Sequence, residues 1–261
     1  MNIKYTLGAI VSVPLLPILY VQGKKIQKTI PQLPEATGIE GIVEVSSNQT
    51  FRLITIGEST IAGVGATTHE NGFTGTLANA LSEQVQSSIS WKVYAKSGYT
   101  VKHVKEKIVQ YITEEPVDLI VIGLGGNDSF KLHTPKQWNA DIRELISNIR
   151  EKYAKTPIVF INMPPIKEFP AFTSTIKFVM GNLVLHFSKE LEKIVNDYEN
   201  VHYHSRIIKF EEYIEQMNLD ATPADFFSDG VHPSEFAYQI WAKDIANYIL
   251  EKRILLTKNL S

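Results

Sequence analysis

Three side chains suited to acyl transfer stand in this chain, one far from the other two: Ser59, Asp229 and His232. The serine ends an apolar, strand-like run in Ile56-Gly57-Glu58-Ser59-Thr60. The acid and the imidazole stand three residues apart in the turn Asp229-Gly230-Val231-His232-Pro233. A serine hydroxyl is a weak nucleophile near neutral pH until a base takes its proton. Histidine, with an ordinary pKa of about 6.5, suits that exchange. A carboxylate behind it fixes the tautomer and stabilises the imidazolium. Each residue alone has a plainer reading, since serine caps helices and Asp-Gly marks turns. The full Asp-Gly-Val-His-Pro string is much more specific than its first dipeptide. Thr60 is the neighbouring hydroxyl, and Asp220 and Asp225 are the other acids near His232.

Two more polar signals, Lys96-Ser97-Gly98 and Gly125-Gly126-Asn127-Asp128, each follow another apolar run. Polar signals at the ends of successive strands are where an open α/β sheet places its site. Together these blocks resemble the SGNH, or GDSL-type, hydrolase family of lipases and esterases, over about residues 51–250. Ser59 matches the nucleophile block, Gly98 the glycine block, Asn127 the Gly-x-Asn-Asp block, and Asp229 with His232 the Asp-x-x-His block. The resemblance implies a serine ester hydrolase with Ser59 as nucleophile, His232 as base and Asp229 behind it. It also implies an oxyanion hole formed by the backbone N–H groups of Ser59 and Gly98 and the side-chain amide of Asn127. No cofactor or metal is needed for that chemistry. One departure stands out: the family writes Gly-Asp-Ser where this chain has Gly57-Glu58-Ser59. The change keeps the charge and adds a methylene, so the hydrogen bonds around Ser59 are expected to differ. Asp128 is expected to hold its loop by accepting backbone hydrogen bonds. The implied substrates are lipid esters or O-acetyl groups on a glycan. An inactive, hydrolase-like module that binds such a ligand is the alternative.

The elements that must position these residues are legible as alternating runs. Residues 51–56, 91–95, 119–122, 158–161 and 201–203 read as strands. Residues 73–85, 101–112, 135–153, 174–198 and 234–250 carry helical spacing, with Pro135 placed for a first turn and Ser234 for a cap. Alternation of this kind implies a parallel sheet with helices on both faces. The expectation is a three-layer, doubly wound α/β domain over residues 50–255. Residues 29–49, punctuated by Pro31, Pro34, Gly38 and Gly41, read as a linker. The loop from Met163 to Ile166, with Phe169, Phe172, Phe178 and Met180, is equally a core segment or a wall for an acyl chain. Phe226 and Phe227 raise the same choice.

Composition sets limits on partners. The 261 residues carry Lys+Arg 26 against Asp+Glu 28, a balance that gives no footing for nucleic acid. There are no cysteines, so disulfides and thiol chemistry are absent. Of the 7 histidines, His69, His103, His133, His186, His202 and His204 sit in no motif and read as structural. His202 and His204 alternate on one strand but lack a third ligand at metal spacing.

The N-terminus carries the second strong signal. From Tyr5 to Gly23 no residue is charged and most are apolar. About 20 such residues cross a bilayer core as a helix, and internal prolines such as Pro14 and Pro17 are tolerated there. Lys24, Lys25 and Lys28 follow at once, and no small-x-small cleavage pattern stands near Gln22. The reading is a single-pass membrane helix within residues 1–28, with a cleavable export signal as the alternative. Flanking lysines do not settle which side the domain faces.

Overall fold

Leu119–Gly123 is apolar or glycine at every position and buried throughout, which is what a central strand of a covered parallel sheet requires. The computed structural model describes residues 3–47 and 49–255; Met1 and Asn2, the start of the expected N-terminal segment, lie outside them. In chain order the main elements are α1 (Ile3–Ser12), α2 (Leu16–Thr29), β1 (Glu40–Val43), β2 (Thr50–Gly57), α3 (Phe73–Val85) and β3 (Ser88–Ala95). Then come α4 (Val101–Lys107), β4 (Leu119–Gly123), α5 (Gly126–Phe130), α6 (Pro135–Lys152) and β5 (Ile158–Phe160). The chain closes with α7 (Ser174–Val195), β6 (Val201–Tyr203), α8 (Phe210–Gln216) and α9 (Glu235–Glu251).

The sheet order is β1-β3-β2-β4-β5-β6, and every neighbouring pair is parallel except β1 with β3. Side chains alternate between its faces, as strand geometry dictates. Ile54, Ile56, Ile120 and Ile122 enter a core closed by α4, α6 and α7 through Trp138 and Phe187. Leu53, Leu119 and Val121 enter the opposite core, closed by α3 and α9 through Leu77, Tyr238 and Ile245. This is the expected three-layer α/β architecture. The helix starts follow from local chemistry. Thr134, Thr173 and Ser234 accept the backbone N–H groups of Gln137, Ile176 and Ala237, which would otherwise lack a partner.

Several segments differ from the sequence reading. Residues 40–43, placed in the linker, form an edge strand antiparallel to β3. Gly41 makes this possible, because a Cβ there would lie 2.5 Å from the Trp91 ring. The helix expected to reach residue 112 ends at Lys107 and gives way to a 3-10 turn at Val109–Tyr111. A short helix, α8, forms where none was foreseen, around buried Phe210 and Tyr213.

The apolar N-terminal run is helical as expected and extends to Thr29, interrupted by a 3-10 turn at Val13–Leu15. Pro14 in that turn cannot donate to the helical ladder. The segment Gly8–Thr29 is long and apolar enough to cross a membrane.

Phe187 and Trp138 stack at 4.8 Å with ring planes 9° apart, and both are fully buried. Phe187→Ala is expected to cost about 3–5 kcal/mol in urea unfolding, from lost transfer energy and the cavity left behind. A loss below about 1 kcal/mol would show that α7 does not depend on this stack.

Candidate active site

The ends of β2, β3 and β4 lie level. Gly57 pairs with Ala95 on one side and Gly123 on the other, so the loops that follow emerge side by side. Gly57 and Gly123 are dictated by close approach. A Cβ on Gly57 would sit 2.4 Å from the Gly123 carbonyl oxygen and 2.5 Å from Ile61. Ser59 follows in a short run of turns. The Glu58 carbonyl accepts Ala62 N–H at 2.8 Å, and the Ser59 carbonyl accepts Val64 N–H at 3.1 Å.

Glu58 is buried and spans the gap to the neighbouring loop. One carboxylate oxygen accepts Gly126 N–H at 2.7 Å and the other accepts Asn127 N–H at 2.8 Å. The extra methylene relative to aspartate therefore has a definite use. It carries the carboxylate to two N–H groups in the first turn of α5, which have no partner inside the helix. Gly125, at φ +125, turns the chain into α5, and a side chain there would meet the Met163 sulfur at 2.9 Å.

The loops after β3 and β4 are cross-linked twice. Asn127 Nδ2 donates to the Tyr99 carbonyl at 3.1 Å, and Val101 N–H donates to Asp128 at 3.0 Å. Asp128 has the backbone-accepting role expected of it. Its second oxygen lies 2.9 Å from His133 Nδ1, so His133 is a structural partner that no motif revealed. Burial raises the Asp128 carboxyl above its ordinary value, although bonds from Val101 and His133 oppose this. Gly98 has φ +81 with open space where a Cβ would project. Glycine is favoured there by backbone conformation rather than by crowding. Glu35, from the segment read as a linker, holds this loop by accepting Ser97 N–H at 2.7 Å and pairing with Lys96 at 2.9 Å. Its distance in sequence hid that role.

The Asp229–His232 turn is self-contained. One Asp229 oxygen accepts the N–H groups of Val231 at 2.9 Å and His232 at 2.7 Å, and the other lies 2.7 Å from His232 Nδ1. Burial pushes the Asp229 carboxyl up, but the bonds from His232 and Val231 outweigh it and hold the group below its ordinary value. An ionised Asp229 takes the proton-bearing Nδ1 and leaves Nε2 as the basic nitrogen of a neutral ring. The Asp229 side chain is excluded from solvent, while His232 is partly open. Gly230, at φ +84, gives the turn its shape and packs on Ala171. Asp225, one of the other acids in this region, is occupied in capping Thr222.

Two contacts join this turn to the Ser59 turn. A Cβ on Gly65 would lie 2.2 Å from the Pro233 carbonyl oxygen and 2.6 Å from the Ser228 hydroxyl, and Tyr238 of α9 donates to the Val64 carbonyl at 2.8 Å beside them. Residues 59–65 and 228–233 are therefore in van der Waals contact. Beside them a chain of ring contacts runs from Phe130 through Phe172 and Phe169 to Phe227. Phe169, Phe172 and Met180 are buried with Leu19 of α2, so they serve as core, while Phe178 is largely exposed. Phe226 is buried in a separate cluster with Phe210 and Tyr213. A cavity of about 240 Å³ lies between the Met163–Glu168 loop, α7 and residues 203–209. His204 is engaged with Asn162 at 2.9 Å.

A three-layer α/β sheet that gathers a serine turn, a Gly-Gly-Asn-Asp loop and an Asp–His turn at its carboxyl edge defines a hydrolase class. The GDSL-like Lipase/Acylhydrolase family matches residues 55–240, more than half of the chain, and the protein belongs to that family. Solved structures share the fold. The lipase Lip_vut3 from a goat rumen metagenome has a TM-score of 0.55 at 20% identity, over 76% of this chain and 98% of its own. A family 3 carbohydrate esterase from Clostridium thermocellum has 0.57 at 16%, over 78% and 97%. The esterase EstA from a Pseudoalteromonas species has 0.52 at 18%, over 78% and 98%. No curated protein matches the sequence.

Burial pushes the Glu58 carboxyl up to about 7 from its ordinary 4.5, against the pull of its two backbone bonds. Between about pH 4.5 and 7 the folded group keeps a proton that the unfolded group has lost, so its contribution to stability falls as pH rises. Glu58→Gln removes this titration. From pH 5 to pH 8 the native protein should lose on the order of 3 kcal/mol relative to the variant in urea unfolding. Parallel pH profiles would show that Glu58 titrates in the fold as it does in the unfolded chain.

Proposed function

We propose that the protein is a serine ester hydrolase in which Ser59, His232 and Asp229 act together. The observation that carries this reading is the 2.7 Å Asp229–His232 pair, set in a turn packed against the turn that presents Ser59. His232 Nε2 takes the Ser59 proton as Oγ attacks the ester carbonyl, and the imidazolium then protonates the leaving alcohol. Water, deprotonated by the same nitrogen, attacks the acyl-serine; collapse of that second intermediate frees the acid and restores Ser59.

The negative charge on the tetrahedral oxygen falls to the Ser59 and Gly98 N–H groups and to Asn127 Nδ2. The Asn127 amide has two hydrogens. One is engaged by the Tyr99 carbonyl, which fixes the amide plane and leaves the other for substrate. Glu58 supports the same arrangement by pinning the Asn127 backbone. Glu58 in place of the usual aspartate is the chain's departure from the family pattern, and its paired bonds to α5 weigh against an inactive binding module.

Carboxylic esters of lipids are the favoured substrates. The apolar N-terminal helix would hold the enzyme at a membrane, and the cavity beside Met163 offers apolar room near the Asn127 loop. O-acetyl groups on a glycan are the second reading, since a carbohydrate esterase shares the fold. EstA is known as a phosphonate-inhibited form, and phosphonates trap activated hydroxyl nucleophiles.

Hydrolysis of p-nitrophenyl esters from acetyl to long acyl chains tests the reading. Ser59→Ala and His232→Ala are each expected to remove turnover while unfolding midpoints hold; activity retained in either sinks the triad. Asn127→Ala should lower kcat about 100- to 1000-fold with little change in KM. An unchanged kcat would take Asn127 out of the oxyanion hole. The preferred chain length separates a lipid esterase from a deacetylase.

A further inference from the structure

The N-terminal helix has no polar face over its uncharged run. Ile10, Val11, Val13, Leu16, Ile18, Tyr20 and Val21 are all exposed, and at helical spacing they cover more than half of the circumference rather than one narrow stripe. A surface helix of a soluble protein turns charged residues outward, whereas one apolar all round is covered by something apolar. The domain covers only one edge. Leu15, Leu19 and Ile26 meet the cluster built on Phe169, Phe172 and Ile176. Near one end of the helix the Tyr5 ring stands 5.5 Å from His186, and near the other Thr173 donates to Gln22 at 2.7 Å. The helix is thus held along α7 for most of its length.

The domain surface continues this apolar face. Val13 and Leu16 of the helix share a groove of about 180 Å³ with Leu132 and Phe178. Phe130, Leu132 and Phe178 are 41%, 43% and 45% exposed, high values for large apolar residues grouped together. Phe130 lies three residues after Asn127, and its ring contacts Phe172 at 5.5 Å. The patch therefore reaches the rim of the loop that carries Asn127. Its charges are cationic: Lys131 is exposed between Phe130 and Leu132, Lys24, Lys25 and Lys28 are exposed at the end of the run, and no acid precedes Glu35. Such a pattern suits anionic lipid headgroups over a protein partner.

The docked arrangement also decides orientation. A helix that crossed the bilayer while held along α7 would drag Thr173, Lys177 and Lys189 of that region into hydrocarbon. A helix lying in the plane of the interface does not. We propose that the N-terminal helix lies flat in a membrane surface, docked on α7, and that Phe130, Leu132 and Phe178 enter the same interface. The Asn127 side of the site then meets the bilayer. That last step rests on the hydrolase reading; the docking does not.

The absence of cysteine allows a direct test on the full-length chain. Single variants Ile10→Cys, Leu132→Cys and Phe178→Cys carry a polarity-sensitive fluorophore, with Lys243→Cys on exposed α9 surface as control. Each is mixed with vesicles of phosphatidylcholine and phosphatidylglycerol bearing quenchers at shallow or deep positions. The expected result is a blue shift at residues 10, 132 and 178, strongest quenching from the shallow position, and no shift at residue 243. Deep quenching at residue 10 with no shift at 132 and 178 would mean a spanning helix and overturn the proposal. No shift anywhere would equally overturn it. A concentration-dependent shift at residue 10 without vesicles would assign the face to a second copy of the chain. None of these readings requires ester turnover, so failure of the hydrolase reading and failure of the docking are seen separately.

Discussion

A single buried carboxylate governs the geometry of this site. Glu58 sits between the Ser59 turn and the first turn of α5 and accepts two of the N–H groups that α5 cannot satisfy internally. Buried donors without partners cost about 1–3 kcal/mol each, so the loop carrying Asn127 would not hold this shape without Glu58 or a substitute. The same bond pair fixes the spacing between Ser59 and Asn127. The loop after β3 is then drawn in by Asn127 and Asp128, through Tyr99 and Val101. Three loops from three strands behave as one unit because their polar backbone groups are shared.

The Asp229–His232 turn is built on a different principle. Asp229 satisfies two backbone N–H groups of its own turn and the imidazole, all within three residues. Nothing distant is needed to orient the ring. What the tertiary fold must supply is only the contact between this turn and residues 59–65, and glycine at position 65 permits it. The geometry of the acid–imidazole pair is local, while the contact that brings this turn to the Ser59 turn is a backbone approach that a side chain at position 65 would block.

This division explains what could be read from the chain. Strands with continuous apolar runs, and helices with caps such as Thr134 and Ser234, announce themselves because their signals lie within a few residues. The Asp–His turn was legible for the same reason. Strand β1 was not, because its four residues gain stability only by pairing with β3 and packing Gly41 on Trp91. Glu35 and His133 were equally hidden. Their partners Ser97 and Asp128 are fixed by topology or by a turn that carries no recognised spacing. Glu58 was visible as a departure, but its partners across the sheet edge were not.

The N-terminal helix links these observations to the surroundings of the site. Leu19 packs into the cluster of Phe169 and Phe172, and those rings continue to Phe130 on one side and Phe227 on the other. Phe130 follows the Asn127 turn, and Phe227 precedes Asp229 by two residues. The helix is therefore packed against the wall that joins the two halves of the site. Close-packed interiors transmit displacement rather than absorb it. The position of the helix and the packing of that wall are therefore set together, through Leu19 against Phe169 and Phe172.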